Sequence, residues 1–440
     1  MDTYELIIAI SGIIIISFFF NILAKKTNIP SVLMLIALGV VIKEFAGDSD
    51  KFDIERFAKL STLEIVGNIG LVMIVLEAAL DLKLQKEKMG LLLNSFLVAL
   101  IALIISAGGI AALIYYMVPG VESFVSCLVY AVPLSIMSSA IIIPSVGGLT
   151  GIKKEFMVYE STFSDILGIM VFYFLIESEH STGAVDIVTD IGINILVTIV
   201  ASVILAYLMV FIFQRLTSQV KLFLVISLLM FVFALGKKVH LSSLLIILAF
   251  GLVLNNSQIF FKGRLAKYLN AEKTKPIMHD FHILTLESAF VIRTFFFVLF
   301  GMFITLSSIF SLDVAILSAA ILGVLYLVRF LILKLVVKND IVPQLYIAPR
   351  GLITILLFFA IKAHPHFEIP NFDPGVLLLV ILFSSAVMTV ALIRYRGEKV
   401  SEVLLSQLPK RRKDEDGDGI NDESEDEMER NVERQDFNQF

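Results

Sequence analysis

Long apolar segments recur along this chain, and each is about as long as the apolar core of a lipid bilayer is thick. At about 20 residues per membrane-crossing helix, the sequence predicts thirteen such helices. Hydrophobic residues make up 58% of the 440 residues and charged residues only 17%, which excludes a soluble globular domain. The predicted fold class is an all-α polytopic membrane protein. The predicted helices lie near residues 4–23, 29–46, 63–80, 91–118, 122–148, 157–177, 185–213, 219–236, 240–256, 281–306, 312–336, 342–363 and 373–394.

The loops between these segments alternate in charge. Cytoplasmic loops collect Lys and Arg, and here every second loop is basic, with Lys237 and Lys238 as the one short exception. We therefore predict a protein of the cell inner membrane, with its N-terminus outside and its C-terminus in the cytoplasm. The basic loops are at residues 25–26, 83–88, 153–154, 215–221, 262–275 and 334–338.

Two of the predicted helices contain internal prolines. The fifth carries Pro133 and Pro144, and the twelfth carries Pro343 and Pro349. Proline removes a backbone hydrogen bond, which makes carbonyl groups available to an ion. Interrupted helices at corresponding places of two halves are typical of inverted-repeat transporters. We therefore predict two inverted six-helix repeats, helices 1–6 and 8–13, with crossing broken helices; the alternative is that Pro and Gly are simply common in membrane helices.

Glu160, Ser161, Ser164 and Asp165 lie close together in the predicted sixth helix. A carboxyl group in a membrane segment costs about 2.5–3.5 kcal/mol to insert, so we interpret such groups as functional. Spacings of four residues place these side chains on adjoining stripes of one helix face, which can hold a small cation. An Asp165 that takes either a proton or a cation would exchange one for the other. The alternatives are an aspartate paired with an arginine, and serines bonded to their own helix backbone.

Three further charged residues lie within predicted helices: Glu77 in the third, Arg293 in the tenth and Arg350 after a proline in the twelfth. An unpaired arginine in lipid is very unfavourable, so each arginine is expected to face a carboxylate or free carbonyl groups. We predict that Glu160 pairs with Arg350, and that Arg293 pairs with Glu77 or Glu287. Glu77 is either a group that lines the ion site or a helix-end residue.

Residues 396–440 form an acidic segment that differs in composition from the transmembrane domain predicted for residues 1–395. We predict that this cytoplasmic tail is disordered. It contains the calcium-loop pattern D-x-[DN]-x-[DN]-G-x5-E, with candidate ligands Asp414, Asp416, Asp418 and Glu425. The alternative is a solvated acidic tail, because the flanking segments are charged on all sides and do not predict the amphipathic helices of an EF-hand.

The sequence contains no motif of a hydrolase, a metalloprotease or a nucleotide-driven pump. It therefore predicts no enzymatic activity and no cofactor, and an ion gradient must supply the energy for any active transport. Nucleic acid is not an expected partner. A cation channel would need a selectivity filter, and an intramembrane aspartyl protease would need a second midspan aspartate besides Asp165; neither is visible.

The segment from Glu160 to Asp165 resembles the Glu-Ser-x-x-Asn-Asp segment of the monovalent cation/proton antiporters, in the sodium/proton exchanger branch. The resemblance extends over about residues 1–395 and includes residues 76–80, residues 293–297 and the Pro349-Arg350-Gly351-Leu352 element. Two features depart from the family pattern. Ser164 replaces its asparagine, and Ser138-Ser139-Ala140 replaces its Thr-Asp-Pro and is closer to the serine-rich form of potassium-efflux relatives.

The resemblance implies an antiporter that exchanges cytoplasmic Na⁺ for external H⁺ by alternating access, as a homodimer in membrane lipid and with no bound cofactor. With Asp165 as the one titrating carboxylate, one H⁺ would replace one monovalent cation, so we predict electroneutral exchange; the alternative is that Glu160 also titrates and this stoichiometry fails. K⁺ and Li⁺ are alternative cations, and a potassium/proton antiporter is the closest alternative function. Asp165 would bind Na⁺ and H⁺, and Glu160 with Arg350 would be a stabilising pair. Other residues that we expect at or near the ion path are Ser161, Ser164, Ser138, Ser139 and Glu77, with Arg293 in a structural ion pair.

Overall fold

All regular secondary structure in the described part of the chain is helical in this computed structural model, with no strand in those residues. Membrane segments favour this outcome because a helix satisfies its backbone hydrogen bonds within one segment. The described residues are 3–27, 31–46, 61–82, 84, 88–121, 123–149, 151–177, 197, 200–208, 210–211, 221–238, 243–261, 271–303, 311–337, 341–361 and 364–407.

We number the α-helices in chain order. The first seven are α1 Thr3–Thr27, α2 Ser31–Ala46, α3 Ser61–Asp81, α4 Met89–Met117, α5 Phe124–Ser135, α6 Ser139–Ser145 and α7 Gly151–Glu177. The next seven are α8 Lys221–Lys238, α9 Ser243–Asn255, α10 Ser257–Phe260, α11 Ala271–Phe303, α12 Leu312–Val336, α13 Leu352–Ile361 and α14 Gly375–Gln407.

Several of these helices are long and apolar enough to cross a membrane, so the chain is a multi-pass membrane protein. Among the described residues there are seven such segments: Ile7–Ala24, Met89–Met117, Phe124–Gly148, Gly151–Ile176, His279–Met302, Leu312–Val336 and Gly375–Tyr395. Shorter apolar helices occur at Leu222–Gly236, Ile246–Asn255 and Leu352–Ile361. The predicted crossing at residues 185–213 lies mostly outside the described residues. The count of thirteen and the inverted repeats therefore stay predictions.

The helices pack in two groups. In the first, α2 packs along α11, and α3 packs against α9 and α11, with α1 and α8 beside them. In the second, α4 packs against α5, α7 and α12, while α7 also contacts α5, α6 and α13. The groups meet where α13 contacts α11 and where α7 contacts α9. The carboxylate segment on α7 thus belongs to the second group and lies near its junction with the first.

Small residues allow the closest helix approach in the first group. A side chain at Gly39 on α2 would overlap the carbonyl oxygen of Val298 on α11, and one at Gly301 would overlap that of Ile36. Glycine pairs of this kind let two membrane helices touch along their backbones. The long α2–α11 contact therefore depends on Gly39 and Gly301.

The proline-containing stretches that the sequence singled out are both interrupted helices. The first interruption, residues 136–138, lies between α5 and α6, and its backbone is extended at Ile136 and Ser138. The second interruption consists of a single 3₁₀ turn, Gln344–Tyr346, and the non-helical segment that follows it at residues 347–351. Helix α13 begins only at Leu352.

The two interruptions cross each other. The Ser138 backbone N–H donates to the Pro349 carbonyl at 2.9 Å, and the Thr354 hydroxyl donates to the Pro133 carbonyl at 2.8 Å. A Cβ atom at Gly351 would lie 2.5 Å from the Ser138 Oγ, so glycine is needed at the crossing. Each interruption therefore supplies hydrogen-bond partners that the other has lost from its helix ladder.

Residues 408–440 lie outside the described part of the chain. The candidate calcium ligands Asp414, Asp416, Asp418 and Glu425 all fall there. Residues 396–407, at the start of the tail that we predict to be disordered, are helical and continue α14. The division into two domains, the disorder of the remaining tail and the calcium loop stay predictions.

Candidate functional site

Helix α7 carries the polar segment that the sequence marked as the centre of the site. Glu160 and Ser161 are 0% exposed, and Ser164 and Asp165 are 4% and 3% exposed. Four polar side chains buried on one helix need partners within the protein. Their neighbours are the two crossing interruptions and helix α12.

Ser164 and Asp165 bind the first interruption. The Met137 N–H donates to Ser164 Oγ at 2.9 Å, and the Ser139 N–H donates to Asp165 Oδ2 at 3.1 Å. A broken helix leaves backbone N–H groups without their usual carbonyl partners. Two neighbouring side chains of α7 therefore supply acceptors for this break and fix its position.

Only one oxygen of Asp165 is engaged in this way. Among the described residues, Asp165 Oδ1 is buried and has no hydrogen-bond partner. A buried acceptor without a partner costs about 1–3 kcal/mol, and more when it is charged. A proton or a cation at Oδ1 would remove that cost, so this oxygen is the point where the geometry favours ion binding.

The serines of the site differ in how their hydroxyl groups are used. Ser161 Oγ donates to the Val158 carbonyl at 3.2 Å, the back-bonding arrangement that the sequence left open, but its lone pairs remain available to a cation. Ser138 and Ser139 are buried in the first interruption, and both use their backbone N–H groups. The structure therefore brings Ser138, Ser139, Ser164 and Asp165 together.

Glu160 pairs with Arg329, which differs from the pair with Arg350 that we expected. Arg329 Nη1 lies 2.6 Å from Glu160 Oε1, and Nη2 lies 3.0 Å from Oε2. Arg329 also donates from Nε and Nη2 to the Gln344 carbonyl at 2.9 and 2.8 Å. The physical reason is that α12 runs beside α4 and presents Arg329 to α7, which satisfies both carboxylate oxygens.

Arg350 lies at the second interruption and is held mainly by its backbone. Its N–H donates to Ser384 Oγ at 3.0 Å. The side chain is 3% exposed, and its Nε and Nη1 have no hydrogen-bond partner in the described part of the chain. The carboxylate expected for Arg350 is thus already taken by Arg329.

Arg293 pairs with Glu77 and not with Glu287. Arg293 Nη2 lies 3.1 Å from Glu77 Oε1, which joins α11 to α3. One turn further along α3, Asp81 Oδ1 lies 2.9 Å from His282 Nε2 on α11. Glu77 is therefore engaged within the first helix group.

Arg329 and Gln344 are the site residues that sequence reasoning missed. Arg329 stands within an apolar helix, in the sequence Leu-Val-Arg-Phe-Leu, and the insertion cost used for Arg350 applies to it equally. That signal could have identified Arg329. No sequence signal indicated that the backbone carbonyl of Gln344 would face it.

A buried carboxylate at the crossing of two interrupted helices, within a multi-pass helical protein, is typical of the class of secondary active membrane transporters. The particular family follows from a sequence profile. The profile of the transmembrane sodium/hydrogen exchangers matches residues 13–395, and this chain belongs to that family. Its members are cation/proton antiporters and not enzymes. No curated protein sequence matches the chain.

Solved structures give the same fold. The sodium proton antiporter MjNhaP1 from Methanocaldococcus jannaschii at pH 8 is similar with a TM-score of 0.68 and 18% identity, over 92% of this chain and 99% of that one. A second structure of MjNhaP1, from an electron-microscopy map, is similar with a TM-score of 0.60 and 18% identity, over 94% and 100% of the two chains. At this identity the likeness establishes the fold alone.

Proposed function

We propose that this protein exchanges cytoplasmic Na⁺ for external H⁺ by alternating access. The observation that carries the proposal is the environment of Asp165. One carboxylate oxygen accepts a backbone hydrogen bond from Ser139, and the other is buried without a partner among the described residues. Membership of the sodium/hydrogen exchanger family supports the same reading.

In this mechanism Asp165 carries either one Na⁺ or one H⁺ at a time. Hard cations prefer oxygen ligands, and Ser161, Ser164, Ser138 and Ser139 can offer hydroxyl or carbonyl oxygens close to the carboxylate. The fixed hydrogen bond from Ser139 orients the carboxylate, so that Oδ1 remains the oxygen that changes partner. Binding of Na⁺ displaces the proton, and the reverse exchange occurs on the other side of the membrane.

The exchange should be electroneutral. Both oxygens of Glu160 accept hydrogen bonds from Arg329, whereas Asp165 Oδ1 has no partner among the described residues, so we assign the exchanged proton and cation to Asp165 alone. One proton then replaces one monovalent cation. Arg329 and Glu160 act as a structural pair that holds α7 against α12.

Alternating access would come from movement between the two helix groups. The group with α5, α6, α7 and α13 carries the ion, and the group with α2, α3 and α11 forms a scaffold that also makes a homodimer in the inner membrane. Glu77 on α3 would lie near the cytoplasmic approach to the ion, with the N-terminus outside and the C-terminus in the cytoplasm. Arg293 holds Glu77 at 3.1 Å and would keep that approach ordered.

A potassium/proton antiporter is the second candidate. The observation that favours it is Ser138-Ser139-Ala140 at the crossing, where the resembling sodium/proton exchangers carry Thr-Asp-Pro. The serine form lacks the aspartate of Thr-Asp-Pro. Because Na⁺ is more strongly hydrated than K⁺, a site with one carboxylate fewer would bind Na⁺ less well relative to K⁺.

The test is internal pH in proteoliposomes after Na⁺, K⁺ or Li⁺ is added outside, with the membrane potential free or clamped at zero. We expect a Na⁺-dependent pH change that does not respond to the clamp. A change that appears only under the clamp would contradict one-for-one exchange, and a larger response to K⁺ would favour the second candidate.

The site is tested by Asp165→Asn, with Asp313→Asn as its control. Asp313 is an exposed carboxylate in the first turn of α12, so its neutralisation should leave exchange within about twofold of wild type. Asp165→Asn keeps an oxygen that can accept the Ser139 N–H, and should abolish exchange while the protein stays folded. Full exchange in Asp165→Asn would show that another group carries the ion.

A further inference from the structure

A small cavity lies beside the Glu160–Arg329 pair. It is lined by residues of α4, α5, α7, α12 and both interruptions, and its polar lining consists of Ser106, Ser135, Glu160, Ser164, Arg329 and Arg350. The volume open to the centre of a water-sized sphere is about 10 Å³. That volume is close to the smallest that can hold one water molecule.

Arg350 contributes unpaired hydrogen-bond donors to the lining of this cavity. Its side chain is 3% exposed, and within the described residues two of its donors, Nε and Nη1, lack a partner. A buried guanidinium with unmet donors is strongly unfavourable. The neighbouring Arg329 does not need a further hydrogen-bond acceptor, because it already binds Glu160 and the Gln344 carbonyl.

Other groups around the cavity offer both kinds of hydrogen bond. Ser164 Oγ accepts from the Met137 N–H, so its own hydrogen can point to the cavity. Ser135 Oγ donates to the Ala131 carbonyl at 2.9 Å, so its lone pairs can accept. Each oxygen of Glu160 accepts one hydrogen bond from Arg329 and has a further lone pair.

We propose that this cavity binds one water molecule that joins Arg350 to Glu160. The water accepts from Arg350 and Ser164, and it donates to Glu160 and Ser135. A chloride or bromide ion is larger than a water molecule and only accepts hydrogen bonds, and the Glu160 carboxylate in the lining would repel it. The donors Arg350 and Ser164 and the acceptors Glu160 and Ser135 are enough to complete the four hydrogen bonds of one water molecule, whereas an anion could not donate to Glu160 or Ser135.

The water makes Arg350 a second, indirect partner of Glu160. Glu160 lies on α7 five residues before Asp165, and Arg350 lies in the interruption whose Pro349 carbonyl binds Ser138. The network Arg329–Glu160–water–Arg350 would thus connect α12, α7 and the second interruption behind the ion site. Buried polar networks of this kind rigidify their surroundings when every member is satisfied.

The direct test is a structure of the wild-type protein, prepared in NaBr, at a resolution that shows single waters. We expect a peak within hydrogen-bond distance of Arg350 and Glu160 that carries no anomalous signal of bromide. A bromide signal in the cavity would overturn the proposal in favour of an anion site. A cavity without any peak would also overturn it.

A thermal-stability cycle provides an independent test. Ala99 lines the cavity, so Ala99→Val fills it and expels the water. In the wild type this should lower the melting temperature, whereas in Arg350→Met, which has no guanidinium donors, the same substitution should lower it by about 3 °C less.

The control for the added volume is Ala112→Val, on the same helix α4 but outside the cavity lining. It should have the same small effect in both backgrounds. Equal losses from Ala99→Val with and without the Arg350 guanidinium would show that nothing in the cavity depends on Arg350, and the proposal would be wrong.

Discussion

Arg329 on α12 binds both carboxylate oxygens of Glu160 on α7, with Nη1–Oε1 and Nη2–Oε2 distances of 2.6 and 3.0 Å. The pair is almost completely buried, with side-chain exposures of 4% and 0%. The same guanidinium binds the Gln344 carbonyl, at the start of the second interruption. One arginine therefore joins the ion-binding helix, a neighbouring helix and a helix break.

The first prediction concerns this pair. Arg329→Met leaves a buried carboxylate without its counter-charge, so we expect it to lower the free energy of unfolding by about 3–5 kcal/mol. The double variant Glu160→Leu with Arg329→Met removes both charges and should be more stable than Arg329→Met alone. Denaturation monitored in detergent measures both.

Arg350→Met is the matched comparison for that cycle. Its Nε and Nη1 have no hydrogen-bond partner within the described residues, so the loss should be smaller than for Arg329→Met. The assignment of the ion pair would be wrong if Arg350→Met were the more destabilising substitution and Glu160→Leu rescued it.

The sequence predicted the centre of the site because the membrane makes charge so costly. Asp165 and Glu160 stand out in an apolar helix, and the prolines of the two interrupted helices mark the breaks that cross beside them. The sequence could not predict whether Glu160 pairs with Arg329 or with Arg350. The answer depends on how α12 is rotated against α7, and hydropathy does not indicate which side of an apolar helix faces a given neighbour.

The second prediction separates a structural serine from a candidate ligand. Ser164→Ala removes the acceptor of the buried Met137 N–H, so it should cost about 1–3 kcal/mol of stability. Ser161→Ala removes only a back-bond to Val158 and should change stability by less than about 0.5 kcal/mol.

The variant with the smaller loss of stability, Ser161→Ala, should be the one with the larger loss of Na⁺ affinity. If Ser161 is a cation ligand, Ser161→Ala raises the apparent KM for Na⁺ in proteoliposomes at nearly unchanged melting temperature. An unchanged KM would remove Ser161 from the proposed ligands, and a stable Ser164→Ala protein would contradict the role given to the Met137 bond.

The third prediction concerns pH. If one proton and one cation compete for Asp165, the apparent KM for Na⁺ should rise about tenfold for each unit of pH decrease on the acid side of the transition, and should level off on the alkaline side. A limiting slope of two would mean that two protons leave for each cation site. Initial exchange rates in proteoliposomes over a pH series give the slope.

The extended backbone of the first interruption could not be derived from the sequence in atomic terms. Pro133 and Pro144 predict a loss of helical hydrogen bonds, but they do not say which N–H groups become free or what receives them. The structure shows that Met137 and Ser139 bond to Ser164 and Asp165, which requires the break to lie directly against α7. A glycine on α7 makes that approach possible.

The fourth prediction tests this glycine. A methyl group at Gly168 would overlap the Cγ1 and Cδ1 atoms of Ile136, the first residue of the break. Gly168→Ala should therefore push the break away from α7, weaken the Ser139–Asp165 hydrogen bond and raise the apparent KM for Na⁺. Overpacking of this kind typically costs about 1–3 kcal/mol.

Ile136→Ala removes the two atoms that would collide and leaves its Cβ at 3.4 Å from the added methyl group. Alone it should destabilise by about 2–5 kcal/mol through a cavity, but combined with Gly168→Ala it should recover both stability and cation affinity, because the new methyl group partly fills that cavity. Gly108→Ala on α4 is the control, since nothing lies within 4 Å of its Cβ position. Strictly additive losses in the double variant would mean that the Gly168–Ile136 contact does not set the distance between the break and Asp165.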